Sequence, residues 1–531
     1  MSFGIIPRPK DIEGLSETQI LVTSIMHPSY NIQGLDPADS ILIYALDELT
    51  ILFPGISESE SEDGATCIIT GGMDSNLPDD WYQLELQEKV WKIDCNQTLG
   101  LLYAIQTIKQ IVHSKTFYPA IITDYSSFEW RGFMLDCSRH FVPVDGVKRI
   151  LDSMVLHKMN RFHWHLTDDQ GWRVQIDAYP LLTEVGAKRS DTQIGGRFSK
   201  DREGCTHEGF YSKDNIREIV VYALERGIEV IPEIEILGHA TAAAAAYPFL
   251  TCHKGELSVP ETFGIFTDVM CAGSQQTMRF VKEVLREIAE LFPSPWIHIG
   301  GDEVPRKQWK SCEVCRDYLE KEGSDDIEDL QQIFLHHVYQ YITGLGKTPI
   351  GWNEILDGNR VDTTPIVQYW TPYPWKRKKI RKTLLEGRKI IVSDYFHSYL
   401  DQSHAVIPLK SAYRLLPDFV RKMEYELILG FEAPLWSEWV ANEEHLDWQV
   451  FPRLTAMADR MWAGLERDDY EDFLKRLERF IPIMQNMGIR PSDPSAWSPS
   501  LIRRFIGLFH LSDDTHDELI RYSKNNDYTG A

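Results

Sequence analysis

From Trp130 onward the chain alternates short apolar runs with longer stretches in which apolar residues recur every three or four positions. Eight short runs stand out: Gly132 to Asp136, Phe162 to Leu166, Ile228 to Glu233, Trp296 to Gly300, Thr348 to Trp352, Pro365 to Trp370, Lys389 to Ser393, and Ile428 to Ala433. Their length and bounding residues predict buried strands. Between them, Val144 to Lys158, Lys213 to Arg226, Thr277 to Leu291 and Ile327 to Leu345 have helical spacing. Strand alternating with helix implies a parallel sheet, and eight repeats imply a closed (β/α)8 TIM barrel. An open doubly wound sheet is the rival architecture. It would gather polar residues at one switch point, whereas here polar or aromatic residues follow every run.

The pattern before and after this region differs. Residues 1–122 read as a small α/β domain. Ile41 to Leu46 and Ala65 to Thr70 are strand-like, and Trp81 to Leu86 alternates as a half-buried strand does. Leu101, Leu102, Ile105, Ile108 and Ile111 follow Gly100 with helical spacing. Residues 123–465 form the expected barrel. Residues 466–531 form a helical extension packed on it, with Phe473, Leu477, Phe480 and Ile481 on one face of Tyr470 to Met484, and a second helical stretch over Ser500 to Leu511.

Composition narrows the function classes. The 531 residues are 43% hydrophobic and include 15 tryptophans, enough for a large core with flat side chains to spare for ligand stacking. The net charge of −24 argues against nucleic acid or an anionic membrane surface as the main partner. The interrupted basic cluster Lys376 to Lys382 reads as a solvated helix face. No apolar run is long enough to span a membrane. The first residues lack a signal-peptide core, so a cytoplasmic location is the simplest expectation, with secretion open if a leader was removed. Eight cysteines are too sparse for a disulfide framework, and only Cys312 and Cys315 have metal-ligand spacing. A zinc site wants a second such pair, which the sequence lacks. A local disulfide or free thiols are expected instead, with no metal and no cofactor.

The candidate chemistry lies at the ends of the runs, where such barrels build their active sites. After Trp296 to Ile299, Gly300 and Gly301 stop the strand, and the adjacent carboxylates Asp302 and Glu303 follow. In a confined site, repulsion and desolvation raise the pKa of at least one of them, which suits proton transfer. An ordinary acidic helix start is the alternative. Arg139 can fork onto vicinal hydroxyls, or pair only with Asp136 or Asp168. His163 and His165 point the same way on a strand, and with His239, His298 and Asp302 they could form a hydrolytic metal centre. Hydrogen-bonded core histidines are the simpler reading. Trp352, Trp370 and Trp436 each stand at a strand end and suit the face of a sugar or an acyl methyl group, with Asp401 and Glu438 as acceptors for hydroxyls.

These stretches resemble glycoside hydrolase family 20, the β-N-acetylhexosaminidases. The resemblance rests on Arg131 to His140, His163 to Arg173, Pro232 to His239, His298 to Glu303, Gly351 to Glu354, Gln368 to Trp370, Tyr399 to Asp401 and Trp436 to Glu438, in that order over roughly residues 80–465. It implies an exo-acting enzyme that removes terminal β-linked GlcNAc or GalNAc from an N-acetylhexosamine-terminated oligosaccharide or glycoconjugate. It also implies retention of configuration through the substrate's own 2-acetamido group. Glu303 would be the general acid. Asp302 would orient the acetamido group, and Tyr399 would bond its oxygen. Trp352, Trp370 and Trp436 would enclose the methyl group and sugar face. Arg139, Asp168, Asp401 and Glu438 would hold ring hydroxyls, with His239 and His298 near the site. One departure concerns the sugar beyond the cleavage point. Where many relatives carry a stacking Trp after the Tyr-Leu-Asp motif, the nearest candidate here is Tyr413.

Overall fold

The structure, a computed structural model, describes residues 4–22, 29–59, 61–62, 65–196, 198–371, 374–416, 425–500 and 502–504. Eight parallel strands close into a barrel: β1 (Trp130–Asp136), β2 (Arg161–His165), β3 (Glu229–Glu233), β4 (Trp296–His298), β5 (Thr348–Trp352), β6 (Ile366–Tyr369), β7 (Ile390–Val392) and β8 (Ile428–Leu435). Closure comes from β1 pairing in parallel with β8 as well as β2. Each of the eight expected runs supplies one strand. The helices Val144–Leu156, Lys213–Glu225, Gln275–Leu291 and Asp329–Gly344 lie where the spacing places them.

The barrel interior is layered. Trp130, Ile231, Ile350 and Ile391, one from each odd strand, form an apolar layer, as expected where alternate strands contribute side chains to one level. The layer above comes from the even strands and is polar. His163 Nδ1 lies 2.7 Å from Glu432 Oε1, Gln368 donates to the same oxygen at 2.7 Å, and the rings of His163 and His298 are 4.6 Å apart. Such groups persist in a core only when paired. Here the pairing runs upward through Glu233 toward the carboxyl ends of the strands.

The preceding residues form a seven-stranded sheet, ordered Asp11–Gly14, Ala120–Asp124, Tyr82–Leu86, Trp91–Cys95, Cys67–Gly71, Ser29–Gln33, Ser57–Glu58. Tyr82–Leu86 alternates buried and half-buried residues, as its sequence requires. The expected strand over Ile41 to Leu46 is instead part of a helix, Ser40–Leu52. Asp39 caps it by accepting from the Ile41 amide, and Leu42, Ala45 and Leu49 bury at helical spacing. The helix Thr98–His113 is buried on nearly every side, between the sheet and the barrel. Two buried ions cross the same boundary. Lys158 Nζ lies 2.9 Å from Asp124 Oδ2, and Trp462 Nε1 donates to Asp124 Oδ1 at 2.8 Å.

The helix Tyr470–Asn486 buries Phe473, Leu477 and Phe480, and its Arg476 pairs with Asp459 of the helix Arg453–Ala463 at 2.6 Å. The stretch expected over Ser500 to Leu511 lies largely outside the described residues. Tyr413, the nearest candidate for a stacking residue, is 2% exposed and packs on Phe473 and Tyr470. It belongs to the core beneath the extension and offers no face to a sugar. None of the eight cysteines is in a disulfide. Cys312 and Cys315 do gain a second pair, but from Cys252 and Cys271, which are too far apart in sequence to register as a motif. No helix among the described residues is long and apolar enough to cross a membrane.

Candidate active site

At the carboxyl end of β4 the chain turns through three left-handed residues: Gly300 (φ 62), Gly301 (φ 92) and, after Asp302, Glu303 (φ 46). Gly300 lies against Glu235, whose carboxylate would overlap any Cβ there. Non-glycine residues rarely hold the conformation of Glu303. The following helix begins only at Lys307, so the two carboxylates are not its acidic first turn. They project into the barrel mouth. Asp302 is buried (8% exposed), whereas 34% of the Glu303 side chain is open to solvent.

His239 binds this pair to the rest of the site. It also has positive φ (47), after Leu237 (φ 79). Its Nδ1 lies 3.2 Å from Asp168 and 3.1 Å from Asp169, and its Nε2 lies 3.8 Å from both Asp302 and Glu303. Burial opposes charge on the ring, but the surrounding carboxylates outweigh it and hold the pKa well above the usual histidine value. Burial pushes Asp302 up to about 7; His239 pulls against this, while Glu303, Glu354 and Glu233 add to it. The expected elevation thus falls on the buried member of the pair.

Arg139 forms the second anchor. It donates to Asp136 at 3.2 Å, to Asp168 at 2.8 Å and to Gln170 at 3.0 Å, with Glu438 at 3.8 Å and the Trp436 ring 5.0 Å away. Asp168 is saturated: Arg139 and His165 (3.0 Å) meet one oxygen, and the Asp169 amide and His239 meet the other. Burial opposes its charge, yet Arg139 and His239 hold its carboxyl well below the usual range. Asp168 therefore orients Arg139 and His239, and the expectation that it grips a ring hydroxyl is corrected. His298 is likewise displaced from the substrate side. It is fully buried, with Nδ1 2.7 Å from Glu233.

The aromatic residues form a continuous wall. Trp352, 1% exposed, makes its floor, donating to Glu233 at 2.8 Å and meeting Trp436 at 5.8 Å between centroids. Trp370 donates to Glu354 at 2.9 Å and faces Tyr399 at 6.0 Å. Burial, Asp401 and Asp302 hold the Tyr399 phenol well above its usual pKa, so it remains a donor. Burial and Glu438 push Asp401 up to about 7. Asp302 Oδ1 and Asp401 Oδ1 are buried and meet no donor among the described residues. Buried acceptors of this kind are satisfied when a ligand brings N–H or O–H groups.

Buried carboxylates surround the histidines at the strand ends. His163 lies between Glu432 and Glu233, and His165 between Glu233 and Asp168. Carboxylates already hold them as hydrogen-bonded core groups, which disfavours the hydrolytic metal reading. The sequence reasoning gave no role to Glu354, Gln170 or Glu235, and noted Glu233 only as a polar residue at the end of its strand. Glu354 and Gln170 stand beside flagged residues, in Trp352-Asn-Glu354 and Asp168-Asp-Gln170. Glu235 follows Glu233 by two, just beyond the end of β3. Its carboxyl oxygens meet no donor, and burial with the charges of Asp302 and Glu233 holds its pKa well above the usual carboxylate range.

Comparison with known proteins agrees with this geometry. Residues 128–465, more than half of the chain, match the model of the glycosyl hydrolase family 20 catalytic domain. A beta-hexosaminidase of Porphyromonas gingivalis is 34% identical over 82% of this chain, and the chain spans only 58% of that relative's length. The crystal structure of a β-N-acetylhexosaminidase from Bacteroides fragilis superposes with a TM-score of 0.79 at 29% identity, covering 92% of this chain and 96% of the other. A family 20 exo-β-N-acetylglucosaminidase from Vibrio harveyi, solved with N-acetylglucosamine, gives 0.80 at 29% identity, covering 94% and 79%.

Proposed function

Because the chain belongs to glycosyl hydrolase family 20, we propose that it is an exo-β-N-acetylhexosaminidase that hydrolyses terminal, non-reducing β-linked GlcNAc or GalNAc with retention of configuration. The observation that carries the reading is the division of labour between neighbours: Asp302 is buried with a free acceptor oxygen, and Glu303 beside it reaches solvent. Two interchangeable acids would not be so unequally placed.

In the first step Glu303 gives its proton to the glycosidic oxygen as the C1–O bond breaks. The carbonyl oxygen of the substrate's 2-acetamido group attacks C1 from the opposite face, and a cyclic oxazolinium forms. Asp302 accepts the acetamido N–H at Oδ1 and stabilises the positive charge that develops. That hydrogen bond favours the ionised carboxylate and so opposes the burial that pushes the Asp302 pKa up to about 7. Tyr399 donates to the acetamido oxygen, and Trp352, Trp370 and Trp436 surround the methyl group. Arg139, Asp401 and Glu438 hold the ring hydroxyls. Water then attacks C1, Glu303 takes its proton, and the oxazolinium reopens to the acetamide.

The discriminating experiment compares aryl β-GlcNAc, aryl β-GalNAc and aryl β-glucoside. The first two should be cleaved and the glucoside, which brings no acetamido group, should hardly react. Comparable turnover of all three would remove the substrate from the role of nucleophile.

A further inference from the structure

Between the loops that follow β3 and β4, four cysteines converge. All four sulfurs of Cys252, Cys271, Cys312 and Cys315 lie within 4.8 Å of one another. Cys252 Sγ is 3.8 Å from Cys315 Sγ, and Cys271 Sγ is 3.9 Å from Cys312 and 3.5 Å from Cys315. Bonded sulfurs would be about 2.05 Å apart. Four sulfurs at the corners of a tetrahedron with metal–sulfur bonds of about 2.3 Å are separated by about 3.8 Å. The observed separations straddle that value. We propose that these four cysteines bind one zinc ion as four thiolates, forming a closed structural site.

The surrounding backbone is shaped to bring the sulfurs together. Cys271 enters beside the short antiparallel bridge between Thr251 and Met270, and its amide donates to Leu250 O at 2.6 Å. Two residues on, Gly273 lies so close to the second cysteine pair that a Cβ would fall 2.7 Å from Cys315 Cα and overlap the Val314 carbonyl. Only glycine allows this approach. Cys312 stands between the helices Lys307–Ser311 and Glu313–Lys321, and Cys315 lies in the first turn of the second. Cys271 and Cys315 are buried, while Cys252 and Cys312 are half-buried and leave an entry path. Binding is balanced as one Zn²⁺ and four thiols giving a tetrathiolate zinc of net charge −2 and four released protons.

The site links the two loops that carry the proposed chemistry without touching substrate. Met270 donates to Leu237 O at 2.9 Å, two residues before His239, and accepts from Trp309 Nε1 at 2.9 Å. Gly238 approaches Asp302 so closely that a Cβ would lie 3.0 Å from its carbonyl oxygen. A metal fixed between Cys252 and Cys271 on one side and Cys312 and Cys315 on the other would set the distance between His239 and the Asp302–Glu303 turn. The metal site stands independently of the proposed hydrolase activity.

The test uses the full chain purified under reducing conditions without chelator. Elemental analysis should find one zinc per chain, and a mercurial should release it in step with the titration of four thiols. Cobalt in place of zinc should give the intense visible bands of a tetrahedral tetrathiolate. Cys271→Ser and Cys315→Ser should lose the metal, and Cys205→Ser, at an exposed cysteine remote in sequence from the cluster, should keep it. Should the serine variants fail to fold, the cobalt spectrum of the unaltered protein decides. Failure of the reduced protein to take up zinc or cobalt would overturn the proposal. So would an unreduced mass lighter by the hydrogens of two disulfides.

Discussion

Arg139 Nη2 lies 2.8 Å from Asp168 Oδ2, and both side chains are almost wholly buried. A charge pair so placed offers little net stability compared with apolar residues, but removing one partner strands the other. The pair is therefore a positioning device whose failure is costly.

Arg139→Met should lower stability by about 3–5 kcal/mol, the usual result of leaving a buried charge unpaired. The double variant Arg139→Met/Asp168→Asn should recover part of that loss while activity stays low. Chemical denaturation of the three proteins measures it. Additive losses would mean the two residues act separately.

Glu303→Gln should fold as the parent does, because the side chain is partly exposed and its ion pair, with His239, is a long one at 3.8 Å. Turnover of substrates with poor leaving groups should fall by about 10²–10⁴-fold, and that of aryl glycosides with acidic phenols much less. An equal loss on both would remove Glu303 from the acid role.

The Asp302 carboxyl, held at about 7 by burial above all, makes a pH prediction with a definite sign. Unfolded, the same group titrates near about 3.9. Between those values the folded chain keeps a proton that the unfolded chain has released. The stabilisation is fully present below about pH 4 and is lost as pH rises through about 7. Asp302→Asn removes this dependence. It should raise the melting temperature relative to the parent at pH 8 and change it little at pH 4, a difference on the order of 1–4 kcal/mol at about 1.4 kcal/mol per pKa unit. The kcat/KM of the parent should fall as pH drops below about 7, since the acetamido N–H needs an ionised acceptor. Melting curves that shift equally at both pH values would refute the assignment.

A thiazoline that mimics the cyclic intermediate should inhibit far more tightly than the product sugar. In Asp302→Ala most of that preference should vanish, because the carboxylate that meets the cationic ring nitrogen is gone. Competition assays on both proteins give the ratio directly.

The barrel was legible because its strands are buried on both faces and its helices on one, so two different periodicities alternate along the chain. Ile41 to Leu46 misled for a related reason: a short apolar run satisfies either period, and Asp39 as a cap decided it. Asp302 and Glu303 were visible as adjacent acids, but their unequal exposure depends on three left-handed residues that no pattern reports. Asp168 was placed one layer too near the substrate, since strand position shows which way a side chain points and not how many partners already hold it. The cysteine cluster escaped by the same limit: spacing reveals only groups that are neighbours in sequence, while Cys252 and Cys271 come together through the bridge between Thr251 and Met270 and meet the second pair through the approach at Gly273.

The contact between Lys158 and Asp124 has a practical side. Both ions are completely buried, with Tyr82 and Trp462 completing their shell, and they belong to opposite sides of the boundary at which the barrel begins. A fragment starting at residue 128 would carry an ammonium group designed for a partner it no longer possesses. Trimming the chain to its hydrolase core should give aggregates instead of a smaller enzyme, and a shortened version would first need Lys158 replaced by something at ease in water or oil. The leading sheet is thus less a passenger than half of a single folding unit.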